Sequence, residues 1–190
     1  MSDLKNGIRS VTLFGSALCT PDSREWAEAE ATGEALARAG YEIVNGGYGG
    51  TMEASARGAR RAGGRVTAIT VATFSKTPNS YSTETVVAPT LFARLEELLE
   101  RGGAYVIFPG GTGTLTEFAL AWEFALKRGG TPKPLVLLGD FWLPVVGCIL
   151  RASDFGTLGE WGAVAKAWPP YIHQAASPAD VVDFLVQRTQ

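Results

Sequence analysis

Ala104-Tyr105-Val106-Ile107-Phe108-Pro109-Gly110-Gly111-Thr112-Gly113-Thr114-Leu115-Thr116-Glu117 passes from an apolar block through glycines into an amphipathic segment. The pattern predicts a strand, a loop and a helix. A continuous apolar run suits a parallel strand buried on both faces, and glycines let the backbone approach a ligand. The helix start supplies unpaired N–H groups and the positive end of a dipole, which together outline an anion site. The segment lacks the Gly-Lys-Ser/Thr ending of a P-loop and the three-glycine spacing of a dinucleotide fingerprint, so it supports neither an ATPase nor an ordinary NAD enzyme. A second reading of its last residues stays open. Thr114-Leu115-Thr116-Glu117 also fits a capping box, in which threonine and glutamate satisfy each other's backbone donors.

Upstream the same alternation recurs. Ser10 to Phe14 is a β-rich run that stops at Gly15-Ser16; Pro21-Asp22-Ser23 begins a helix, and Gly40 closes it. Tyr41 to Asn45 is the next strand and runs into Gly46-Gly47-Tyr48-Gly49-Gly50. Thr51 is expected to cap the following helix, whose Arg57, Arg60 and Arg61 complement its C-terminal dipole. Arg65 to Val71 reads as a third strand. Phe74 to Ser82 has turn chemistry and reads as a mobile loop over a site, and Thr83 to Ala88 as a short strand. A helix from Thr90 to Arg101 carries Leu91, Leu95, Leu98 and Leu99 as its buried stripe. Arg94 lies on the edge of that stripe and either looks inward or pairs with Glu97 on the surface.

Beyond the opening stretch, a helix is expected from Thr114 to about Arg128, with Phe118, Trp122 and Ala125 on one face. Pro134 to Leu138 reads as a strand and Asp140 to Leu150 as a helix. Phe155 to Trp168 is read as irregular or briefly helical, Tyr171-Ile172 as a short strand, and Pro178 as the first residue of a last helix that docks through Val181, Phe184 and Leu185.

Alternating strands and helices predict an open α/β sheet, mostly parallel, with right-handed crossovers. Its 190 residues, 46% hydrophobic and 19% charged, suit a single domain over residues 10–190 behind a loose tail of residues 1–9. A net charge of −2 offers no broad footprint for nucleic acid or an anionic membrane. Two cysteines, Cys19 and Cys148, and one histidine, His173, cannot assemble a zinc site of the usual spacing; no metal and no cofactor are expected, and His173 is given no role. With no apolar stretch of signal-peptide or spanning length, the reading is cytoplasmic with no membrane partner.

In an open parallel sheet, ligands bind outside the carboxyl ends of the strands. Gly15-Ser16, Gly46 to Gly50 and Gly110 to Gly113 all follow strands at that edge, so a phosphorylated small molecule fits.

Pro109-Gly110-Gly111-Thr112-Gly113-Thr114-Leu115-Thr116-Glu117 resembles the PGGxGTxxE signature of the LOG proteins, often labelled "possible lysine decarboxylase", with Arg94 at that family's arginine position. Phe14-Gly15-Ser16, Gly46-Gly47 with Met52, and Pro89-Thr90-Leu91 extend the resemblance from Val11 to about Leu150. It implies a Rossmann-like homodimer with helices on both faces of the sheet, hydrolysing nucleoside 5′-monophosphates to a free base and ribose 5-phosphate. It further implies Arg94 and Glu117 as the catalytic pair. Gly15, Ser16, Gly46, Gly47, Gly110, Gly111, Thr112, Gly113 and Thr114 would hold substrate and phosphate. Phe92-Ala93-Arg94-Leu95 stands where many members read His-Glu-Arg-Lys, and the second glycine loop also differs, which points away from cytokinin nucleotides. The decarboxylase label is disfavoured, because all five lysines (Lys5, Lys76, Lys127, Lys133, Lys166) lie outside the three glycine turns and a Schiff base needs one. The same signature occurs in molybdenum-cofactor carrier proteins, so binding of a phosphorylated pterin without turnover is the alternative.

Overall fold

A computed structural model describes residues 7–74, 76–127, 132–152 and 169–188. Seven strands form one sheet: β1 (Ser10–Phe14), β2 (Glu42–Asn45), β3 (Val66–Val71), β4 (Glu84–Ala88), β5 (Ala104–Ile107), β6 (Leu135–Leu138) and β7 (Ile172–Ala175). Their order is β4-β3-β2-β1-β5-β6-β7 and every pairing is parallel. β3, β5 and β6 are buried throughout, whereas the edge strand β4 exposes most of its residues. Continuous apolar runs therefore occupy the interior strands, as a sheet covered on both faces demands.

The described helices are α1 (Arg24–Arg38), α2 (Thr51–Arg61), α3 (Leu91–Arg101), α4 (Thr112–Lys127), α5 (Leu143–Ala152) and α6 (Pro178–Gln187). Strand side chains alternate between the two faces. Val11, Ile43 and Val106 join one core with Trp26 and Ala29 of α1, Ala54 and Ala59 of α2, and Val181 and Leu185 of α6. Phe14, Val44 and Ile107 join the other with Leu98 of α3, Phe118 and Trp122 of α4, and Val146 of α5. Burying one such large apolar side chain contributes about 1.5–3 kcal/mol. Helices thus cover both faces, the Rossmann-like arrangement expected.

Local chemistry explains several boundaries. Ser23 accepts from the Trp26 N–H to cap α1, and Ser177 accepts from Asp180 to cap α6. Ile8 is already packed in the core and the Arg9 carbonyl accepts from Glu42, so the tail expected over residues 1–9 is docked at these two positions. Arg57 and Arg61 are not simply complements of the α2 dipole: both reach across to Glu30 of α1. That pairing follows from the close approach of the two helices, where a Cβ on Gly33 would stand 2.0 Å from the Ser55 carbonyl oxygen. Leu91, expected in the stripe of α3, is exposed at its first turn. The expected end of α4 beyond residue 127 and the segment Phe155 to Trp168 lie outside the described residues.

Candidate functional site

β1 stands between β2 and β5, and the chain leaves it through α1 on one face but leaves β5 through α4 on the other. The strand order reverses here, which in sheets of this kind places the ligand crevice outside the carboxyl ends of β1 and β5. Three glycine turns meet in it through Ser16. The Ser16 N–H donates to the Pro109 carbonyl at 3.2 Å, and the Ser16 carbonyl accepts from both Thr51 N–H, at 2.9 Å, and Thr51 Oγ1, at 3.0 Å. Thr51 is consequently not the cap of α2. It is the first helical residue, Gly50 at φ +66° is the cap, and the threonine hydroxyl is committed to the first turn instead.

Contacts at the glycines differ in kind. A Cβ on Gly15 would stand 2.6 Å from Thr51 Oγ1, and one on Gly110 would stand 2.2 Å from Thr114 Oγ1, so these two are small because protein fills the space. Gly47 adopts φ +75°, which favours glycine. A Cβ on Gly111 or Gly113 would meet nothing within 4 Å. The space above the third turn is open.

α4 begins at Thr112, two residues before the expected start, and the Leu115 N–H to Gly111 carbonyl bond, 2.9 Å, makes Gly111 the cap residue. The turn at Pro109-Gly110 reverses the chain early, so Thr114 is already helical and Glu117 lies in the second turn. The capping box does not form. The N–H groups of Gly111, Thr112, Gly113 and Thr114 have no acceptor among the described residues, and the space beside Gly111 and Gly113 is open. Trp142 anchors the preceding strand end by donating from Nε1 to the Phe108 carbonyl.

Arg94 turns inward, and Glu97 pairs with Arg101 instead. Its Nε donates to the Ile69 carbonyl at 2.8 Å, and its guanidinium carbon lies 5.8 Å from the centre of the Tyr48 ring. A Cβ on Gly46 would stand 1.9 Å from Nη2, so Gly46 is the opening through which the guanidinium enters the crevice. Nη1 lies 3.8 Å from Glu117 Oε1, with the two side chains 9% and 13% exposed. The Glu117 carboxylate makes no hydrogen bond among the described residues. Burial pushes its carboxyl up to about 7, against the opposing pull of Arg94. One arginine does not hold the carboxyl in the usual carboxylate range, because removing a carboxylate from water outweighs one cation beyond hydrogen-bond range.

Sequence reasoning missed two residues that build this site. Asn45, fully buried at the end of β2, accepts from the Gly47 N–H and donates to the Met52 carbonyl, which shapes the second glycine loop. Tyr48, the aromatic residue among four glycines, packs against Arg94. A polar residue closing a buried strand and an aromatic inside a glycine run were the available signals. The loop read as mobile is tied to the same turn, with Asn79 donating from its backbone to the Gly47 carbonyl and from its amide to the Tyr48 carbonyl. His173 pairs with Asp180 and stacks on Phe184, away from the crevice.

No group of three or more His, Cys, Asp or Glu able to hold a metal exists among the described residues, and no described helix is long and apolar enough to cross a membrane.

The model of the family described as "Possible lysine decarboxylase" matches residues 52–182. A cytokinin riboside 5′-monophosphate phosphoribohydrolase of Rhodococcoides fascians is 32% identical over 156 residues, covering 78% of this chain and 77% of that protein. Among solved structures, the molybdenum cofactor binding protein of Rippkaea orientalis superposes with a TM-score of 0.69 at 21% identity, covering 95% of this chain and 96% of that one. The molybdenum cofactor carrier protein of Chlamydomonas reinhardtii gives 0.66 at 21%, covering 95% and 97%.

Proposed function

We propose, for a chain that belongs to the possible lysine decarboxylase (LOG) family, that it is a nucleoside 5′-monophosphate phosphoribohydrolase. Water adds at the anomeric carbon, the N-glycosidic bond breaks, the base leaves with a proton, and ribose 5-phosphate remains. The observation that carries this reading is the Glu117 carboxylate, buried, 3.8 Å from Arg94 and hydrogen-bonded to no described residue, beside a helix start whose N–H groups find no acceptor among the described residues.

Each part has a task in that reaction. The N–H groups of Gly111, Thr112, Gly113 and Thr114, aided by the α4 dipole, hold the phosphate; Gly15, Ser16, Gly46, Gly47 and Gly110 form the walls. Breaking the glycosidic bond builds positive charge on the ribose, and ionised Glu117 stabilises that charge or takes the proton of the attacking water. The Arg94 N–H groups not spent on Ile69 point the guanidinium at substrate oxygen through charge-assisted bonds. A carboxyl near 7 is poised for proton transfer at neutral pH.

A non-catalytic protein that binds a phosphorylated pterin is the competing reading, favoured by the fold likeness to carriers. Likeness at 21% identity speaks for the fold alone. Binding alone has no need of a buried carboxylate that faces Arg94 but is hydrogen-bonded to no described residue, and that favours hydrolysis.

Incubation with AMP and a panel of other nucleoside monophosphates tests the proposal. Release of base and ribose 5-phosphate is expected from at least one, and Glu117→Gln should slow release by roughly 10²–10⁴-fold while substrate still binds. No turnover of any monophosphate, alongside tight pterin binding, would sink it.

A further inference from the structure

Arg94 is a long side chain with several soft torsions, yet its head has to meet Glu117 at one end of a helix that starts on another strand. Its Nε is held by the Ile69 carbonyl of β3, but that single bond leaves the guanidinium free to swing about the N–H···O axis. The Tyr48 ring meets the guanidinium, and Tyr48 is itself fixed from three sides. Its hydroxyl accepts from the Val71 N–H at 3.2 Å, its carbonyl accepts from Asn79, and its ring lies 5.9 Å from Phe74. Tyr48 is 6% exposed, so the cation–π contact is made largely out of water, where it is strongest. Tyr48 and Arg94 hang from two positions of the same strand, Ile69 and Val71, so their separation is set by rigid backbone.

We infer that Tyr48 is a positioning residue for the site: its ring fixes the Arg94 guanidinium so that Nη1 faces Glu117, and the loop carrying Phe74 and Asn79 holds that ring in place. The inference rests on the reading of Arg94 and Glu117 as the reacting pair. Among the described residues the charged group that faces Glu117 is Arg94 from α3, and the carboxyl therefore reports on where the guanidinium stands.

The test is the ionisation midpoint of the Glu117 carboxyl, followed by carbon-13 NMR and assigned by comparison with Glu117→Gln. Wild-type protein should titrate near 7. In Tyr48→Leu the guanidinium drifts from the carboxylate, the stabilising charge weakens, and the midpoint moves up by roughly half a unit or more. Tyr48→Phe keeps the ring and should stay within roughly 0.2 of wild type while losing some thermal stability through the orphaned Val71 N–H. Tyr48→Met stands in if Tyr48→Leu does not fold. A midpoint unchanged in the non-aromatic variants, or displaced equally in Tyr48→Phe, overturns the inference. Where turnover occurs, Tyr48→Leu should lower kcat by roughly tenfold with KM within about twofold. A shifted midpoint in a protein whose wild type turns over no monophosphate would sink the hydrolase reading and leave the placement of Arg94 by Tyr48 standing.

Discussion

Arg94 Nη1 and Glu117 Oε1 lie 3.8 Å apart, within attraction but beyond hydrogen-bond range, so neither group is saturated by the other. A fully formed bidentate pair would hold Glu117 ionised and leave no room for a substrate between them. The open spacing lets burial set the carboxyl instead.

Turnover should accordingly depend on pH around neutrality. If ionised Glu117 is the working form, kcat rises with pH through about 7 and falls tenfold per pH unit well below it. A rate flat between pH 5.5 and 8.5, measured by base release, would remove Glu117 from the chemical step.

The same group makes a stability prediction. A carboxyl raised from 4.5 to about 7 on folding binds its proton more tightly in the folded state than in the unfolded chain. Its ionisation therefore costs nothing below about 4.5 and destabilises the fold progressively as pH rises to 7 and above, by an amount on the order of 3 kcal/mol. Glu117→Gln, which cannot ionise, should be more stable than wild type at pH 8 and similar at pH 4.5 in urea unfolding. Equal stability at both pH values would contradict the burial argument.

Gly46→Ala places a methyl 1.9 Å from Arg94 Nη2. The guanidinium must withdraw from the crevice or the second loop must shift, at a cost of about 1–3 kcal/mol. Activity should fall by roughly 10²-fold, with far-UV circular dichroism unchanged, because a small misplacement of a positioned group is enough.

Gly110 and Gly111 should respond oppositely. Gly110→Ala drives into Thr114 and destabilises the turn, whereas Gly111→Ala meets nothing within 4 Å, loses only the preference for glycine at the helix cap, and should melt within about 4 °C of wild type. If phosphate sits over the Gly111 N–H, that methyl raises KM for a monophosphate by roughly tenfold or more. An unchanged KM in Gly111→Ala places the phosphate elsewhere.

Much of the scaffold is legible in the sequence. Blocks such as Val66 to Val71 and Leu135 to Leu138 cannot be amphipathic helices of useful length, and the glycine turns after β1, β2 and β5 mark the edge where ligands bind. Boundaries were less legible. α4 starts at Thr112 because the Pro109-Gly110 turn reverses the chain sooner than the capping pattern at Thr114 suggests. A local pattern at Thr51 also misled, since a threonine suited to capping met a stronger long-range partner in the Ser16 carbonyl.

The periodicity, the glycine exits and the family signature were properties of the sequence by itself. They determined an open parallel α/β domain and singled out Arg94 and Glu117 as its candidate reacting pair. Only the tertiary structure decided how those two meet. From α3 alone, Arg94 paired as well with Glu97 on the surface as with anything inside; the Ile69 carbonyl of β3, and the Tyr48 ring and the gap at Gly46 in the loop after β2, draw it inward. Burial of Glu117 likewise depends on every element around it. Desolvation is a property of the filled volume about a group, and no short stretch of sequence contains that volume.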